Sequence, residues 1–299
     1  MLEQRNKLLL SVALMFAVGA CTATQSSTNA SSSSSSSMSV SSGDASQSGG
    51  LPPDAEHALA RLNSSPRHGE WAMIKVGATD SLRLWVVYPE RKTKAPVVVV
   101  IHEIFGLSDW IRGVADQLAA DGFIAVAPDF LTMKNLPQGN DSAATQAAVA
   151  AIRTVDLAQV QLMIDAAAQY GMGLPAAQKR YGVVGFCWGG GVSFTHATHA
   201  SSLGASVVYY GVSPKTELLS AVRAPVLGLY GGNDARVDAT IPPADSAMKA
   251  MGKTYQPKLF EGAGHGFLRQ QTGANGANMT ATQQAWPATI AWFRKYLDS

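Results

Sequence analysis

The stretch Tyr181-Gly182-Val183-Val184-Gly185-Phe186-Cys187-Trp188-Gly189-Gly190-Gly191-Val192-Ser193-Phe194 reads as a short apolar strand, a sharp turn and the opening of a helix. Cys187 stands at the turn, where the Gly-x-Ser-x-Gly elbow carries its serine. The flanking Gly185 and Gly189 suit a strained bend whose reactive atom must stand clear of the backbone. A lone cysteine is more often a buried, inert thiol. The strand-turn-helix context makes Cys187 a candidate nucleophile instead.

Outward from this turn the pattern repeats. Strand-like apolar runs occupy residues 82–88, 96–101, 123–127, 181–186, 205–210, 225–230 and 255–260, and near-continuous Val, Ile and Leu content in several of them predicts strands covered on both faces. Residues 109–121, 143–170, 243–251 and 281–296 have helical composition or spacing. The alternation predicts one α/β domain over 51–299, built on a doubly wound, mostly parallel sheet. In such sheets ligands gather beyond the carboxyl ends of the strands.

Three more of those strand ends carry chemistry. Gly231-Gly232-Asn233-Asp234 follows one strand, Gly262-Ala263-Gly264-His265-Gly266-Phe267 follows shortly after another, and His102-Glu103-Ile104-Phe105-Gly106-Leu107 follows Val97–Ile101. The order Cys187, Asp234, His265 is the nucleophile-acid-histidine order of α/β-hydrolases. A free thiol is mostly protonated at neutral pH, so an imidazole that takes its proton raises the thiolate fraction. Asp234 would fix the imidazole tautomer. Individually Asp234 also reads as a turn residue, and Glu103 as a helix cap or a partner of Arg112. His196 and His199, three apart on the helix after the elbow, read as helix surface or packing, since no further ligand completes a metal set.

Together these four motifs resemble the dienelactone hydrolase family (carboxymethylenebutenolidase-like, of the α/β-hydrolase type), with matches from about Trp71 to the C-terminus. The resemblance implies Cys187 as nucleophile, His265 as base, Asp234 as its partner, and Glu103 as a contact of the resting thiol that helps it ionise when substrate binds. It implies an oxyanion hole from the backbone N–H groups of Ile104 and Trp188. The elbow independently supplies the second of these, because the residue after the nucleophile gives one donor. Arg269 takes the place of one of two arginines that hold a substrate carboxylate; residues 136–151, where the other belongs, contain no arginine or lysine. The expected activity is hydrolysis of a small-molecule ester or lactone through an acyl-enzyme thioester, with no cofactor and no metal. A thioesterase or general carboxylesterase of the cell envelope, and a non-catalytic surface-binding lipoprotein, remain alternatives.

The beginning of the 299-residue chain reads differently. Arg5 and Lys7 precede an apolar run from Leu8 to Ala20 that is shorter than the ~20 residues a spanning helix needs, which predicts a signal peptide over 1–20. Val18-Gly19-Ala20-Cys21 resembles a bacterial lipobox and implies lipidation of Cys21, hence a membrane partner through an N-terminal lipid anchor; ordinary cleavage after Ala20 or an uncleaved anchor are the other readings. Residues 21–50 are serine-rich and predict a disordered linker. With only two cysteines, and Cys21 acylated on this reading, no disulfide framework is expected. The formal charge of +2 gives no sign of a nucleic-acid partner. The expected location is exported, in the cell envelope, or secreted after conventional cleavage.

Overall fold

The computed structural model describes residues 50–134, 136–137 and 142–298. The predicted signal peptide, Cys21 and nearly all of the predicted linker lie outside them. Among the described residues, eight strands form one sheet in the order β1-β2-β4-β3-β5-β6-β7-β8. The strands are β1 (Gly69–Val76), β2 (Asp80–Val87), β3 (Ala95–Ile101), β4 (Ile124–Pro128), β5 (Ala177–Phe186), β6 (Ala205–Tyr209), β7 (Val226–Gly231) and β8 (Tyr255–Phe260). The six from β3 to β8 run parallel, while β1 and β2 are antiparallel additions at one side. This is the mostly parallel α/β-hydrolase sheet that the sequence predicts.

The helices are α1 (Ala58–Ser64), α2 (Asp109–Ala120), α3 (Ser142–Ile152), α4 (Leu157–Gly173), α5 (Trp188–His199), α6 (Ala235–Asp238), α7 (Ile241–Ala250) and α8 (Ala277–Leu297). Every residue of β3 is buried, and its side chains alternate between two apolar layers. Val97, Val99 and Ile101 join Val160 and Ile164 of α4 on one face, whereas Val98 and Val100 meet Val114 and Leu118 of α2 on the other. Both faces being covered, the strand ends are what remains open to ligand.

Two elements depart from the sequence reading. The helical region predicted over 143–170 is two helices bent by 107°. Thr154 turns its hydroxyl and its N–H back onto the Ala151 carbonyl, and Asp156 caps α4 by accepting from the Ala158 N–H at 2.9 Å. Strand β1 was absent from the expected set because only Ala72, Ile74 and Val76 face inward; Trp71, Met73 and Lys75 of the same strand are exposed. Among the described residues no single helix is long and apolar enough to cross a membrane.

Candidate active site

The elbow is held by main chain. Cys187 has φ of 56°, a left-handed conformation that costs a non-glycine residue about 1–3 kcal/mol. The turn is fixed by its N–H donating to the Tyr209 carbonyl at 3.1 Å and by its carbonyl accepting from the Gly191 N–H at 3.2 Å. A side chain at Gly185 would place its Cβ 1.9 Å from the Gly189 carbonyl oxygen, and one at Gly190 would sit 2.4 Å from the Tyr209 oxygen. The helix therefore starts in direct backbone contact with the strands, which only glycine permits.

The turn after β3 is braced from beneath. His102 is fully buried; its Nδ1–H donates to the Glu103 carbonyl at 2.7 Å, and its Nε2 accepts from the Phe130 N–H at 3.2 Å. Burial pushes its pKa down, consistent with this neutral tautomer. Ile104 and Trp188 pack on one small apolar group formed by Leu131, Ala148 and Ile152, so the two residues expected to form the oxyanion hole belong to the same local unit. The Trp188 N–H favours the charged form of the Cys187 sulfur.

Asp234 and His265 meet beyond β7 and β8. The His265 Nδ1–H donates to the Asp234 carboxylate in a short bond, with Asp234 buried and about a third of His265 exposed. The two loops are tied together by the Asn233 N–H and side-chain amide, which donate to the carbonyls of Ala263 and Gly262 at 2.9 Å each. Among the described residues no hydrogen bond joins Cys187 to His265. The sulfur instead lies in the field of Glu103. Burial first, and then the Glu103 charge, push the thiol pKa up to about 11, against the downward pull of the Trp188 N–H and Arg236.

Glu103 is 3% exposed, and its Oε2 lies 3.3 Å from the Arg269 Nε. Neither of those atoms has a hydrogen-bond partner, so this is a charge contact without directional bonding. Burial pushes the carboxyl up to about 7 and Arg269 only partly opposes it. Arg269 is Glu103's ionic partner, whereas Arg112 pairs with Asp109, and Ser108 rather than Glu103 takes the cap position of α2. The Arg269 guanidinium also stacks 4.8 Å over the Phe105 ring. His196 is buried between Gln161 and Tyr181, while His199 faces Asp165 at 3.3 Å.

Tyr210 is the site residue that sequence reasoning missed. It is fully buried with φ of 39°, and its ring lies 5.1 Å from that of His265. Its hydroxyl has no hydrogen-bond partner, although it lies in the field of Glu103, Cys187 and Arg269. The available signal was positional: β6 ends at Tyr209, which makes Tyr210 a strand-end residue like the others, but the predicted strand absorbed it.

The dienelactone hydrolase family model matches residues 82–297. A carboxymethylenebutenolidase-like protein of Methylorubrum extorquens is 34% identical over 216 residues, covering 67% of this chain and 72% of that protein. A similar protein of Salmonella typhimurium is 30% identical over 230 residues, covering 73% and 84% respectively. The crystal structure of a dienelactone hydrolase-like protein of Klebsiella pneumoniae superposes with a TM-score of 0.66 at 25% identity, covering 77% of this chain and 100% of that one. With the family model and these relatives in agreement with the fold, the chain belongs to the dienelactone hydrolase family and is a hydrolase of that type.

Proposed function

We propose that this protein hydrolyses a small-molecule ester or lactone by covalent catalysis at Cys187. The observation that carries the reading is the strained elbow, which holds a partly buried free thiol at the start of α5, with the His265–Asp234 pair on nearby strand ends. In the resting enzyme the thiol keeps its proton, because burial and Glu103 disfavour the thiolate. When substrate binds, the sulfur turns away from Glu103 and towards His265, which takes its proton. The thiolate attacks the carbonyl carbon, and the resulting oxyanion accepts from the Ile104 and Trp188 N–H groups. Collapse forms the thioester, and His265 returns the proton to the departing alcohol oxygen. Water then attacks the thioester, giving one proton to His265; the acid leaves, and the sulfur is re-protonated.

Cys187→Ala should abolish hydrolysis of 4-nitrophenyl acetate, and wild-type protein quenched during turnover should carry one acetyl group on Cys187 by mass spectrometry. Full activity in the variant would overturn the assignment. We further propose that Cys21 is acylated after removal of residues 1–20 and tethers the enzyme in the cell envelope. This reading is supported by the basic end, the short apolar run and Val18-Gly19-Ala20-Cys21. Radiolabelled palmitate should enter the wild-type chain in a bacterial host and be absent from Cys21→Ala.

A further inference from the structure

A cavity of about 710 Å³ opens beside the candidate site and shares Arg269 and Phe105 with it, but Cys187 and His265 are not in its wall. It is large enough for most of a drug-sized ligand. Pairing in β1 and β2 sets Trp71 opposite Trp85 and Met73 opposite Arg83, which puts these four side chains on one sheet face. From β5, which carries Cys187, the sheet order runs through β3, β4 and β2 to β1. At roughly 4.8 Å per strand spacing, the Trp71 wall is about 19 Å from the elbow strand. Only a substrate with a long arm spans that distance.

The wall changes character along the way. Near Arg269 it is apolar, with Phe105, Leu107, Leu131 and Ala148. Farther out it carries the ion pairs Arg83–Asp129, at 2.7 Å, and Arg112–Asp109. Trp71 is 46% exposed and holds the Arg83 and Arg112 guanidinium carbons 4.7 and 5.7 Å from its ring centroid. Each of the three arginines already faces a carboxylate, so an incoming anion meets Asp109 and Asp129 as well as positive charge. The Arg83 Nε and the Ser108 Oγ are buried without partners on residues of this wall, and both can donate to an oxygen.

We infer that this cavity receives an uncharged aromatic arm of the substrate, carrying hydroxyl or ether oxygens at its far end. The inference rests on the esterase reading above. The chain of the arm lies against the apolar half, and the ring at its end extends the guanidinium–indole stack. Its oxygens accept from Arg83 and Ser108, and a phenolic hydrogen is donated to Asp129.

The test uses the full chain with methyl esters of 10-(4-hydroxyphenyl)decanoic acid, of its 4-carboxyphenyl counterpart and of decanoic acid. Wild type should favour the phenolic ester over both others in kcat/KM by about tenfold or more, and Trp71→Ala and Arg83→Met should each cut that preference about fivefold, mainly through KM. The uncleavable N-methyl amide of the phenolic acid should bind wild type and Cys187→Ala equally by titration calorimetry, and bind the exposed-site variant Trp71→Ala at least fivefold more weakly. A preference for the carboxylate ester, or amide binding unaffected by Trp71→Ala, would overturn the inference. Amide binding as expected but no ester hydrolysis by wild type would overturn the reaction and uphold the pocket.

Discussion

Replacing Glu103 by glutamine tests the electrostatic restraint on the thiol directly. With a pKa of about 11, Cys187 is thiolate in about one molecule in ten thousand at pH 7. Burial is the larger cause of that value and survives the substitution, whereas the Glu103 charge, the next cause, does not. Full return to the ordinary value of 9.0 would raise the thiolate fraction about a hundredfold, which is the ceiling; a rise of about tenfold is expected, equivalent to about 1.4 kcal/mol. Because Glu103 titrates near pH 7, the difference should be largest above pH 8, where the wild-type carboxylate is charged, and should fade below pH 6, where it is neutral. The assay is iodoacetamide alkylation across pH 5.5–10 with peptide-resolved mass spectrometry, which separates Cys187 from Cys21. A glutamine profile that superimposes on wild type, or moves to higher pH, would refute the reasoning.

Three other outcomes follow from the geometry. Tyr210→Phe removes a buried hydroxyl that has no partner and keeps the ring contact with His265, so urea unfolding should show stability unchanged or raised by up to ~1 kcal/mol, with kcat for 4-nitrophenyl acetate within a factor of about two of wild type. Gly185→Ala forces a Cβ against the Gly189 carbonyl and should cost about 3 kcal/mol or more, whereas Gly173→Ala, at the end of α4 with open space around it, should be neutral or stabilising by up to ~1 kcal/mol. Burial holds the His196 pKa down to about 3, so between the ordinary value of 6.5 and about 3 only the unfolded chain takes up this proton. Stability should therefore fall with decreasing pH in that window by up to ~1.4 kcal/mol per pH unit, a slope that His196→Gln should lack in calorimetric unfolding.

The elements legible in the sequence are those whose signal is local. The elbow announces itself because Gly185 and Gly189 flank Cys187, and β3, β4, β6 and β7 because buried parallel strands are apolar on both faces. Strand β1 is half exposed, and its inward set of Ala72, Ile74 and Val76 is too sparse to stand out against Glu70 and Lys75. The break between α3 and α4 depends on Thr154 and Asp156 bonding to nearby backbone in a stretch whose composition stays helical. Long-range facts were out of reach. Arg269 was legible as a substrate-facing arginine only through family resemblance, and its pairing with Glu103 arises from two segments 166 residues apart in the chain (269 − 103). Tyr210 needed the strand end placed one residue earlier.

The outer wall of the cavity and the nucleophile, acid and base draw on different parts of the chain. Cys187, Asp234 and His265 follow β5, β7 and β8, whereas Trp71, Met73, Arg83 and Arg112 come from β1, β2 and α2. The elbow itself is set by backbone pressed on backbone at Gly185, Gly189 and Gly190, which leaves substitutions elsewhere little direct leverage on it. Laboratory evolution of this enzyme can therefore be confined to a library at Trp71, Met73, Arg83 and Arg112, changing what is accepted while the attacking machinery is inherited intact.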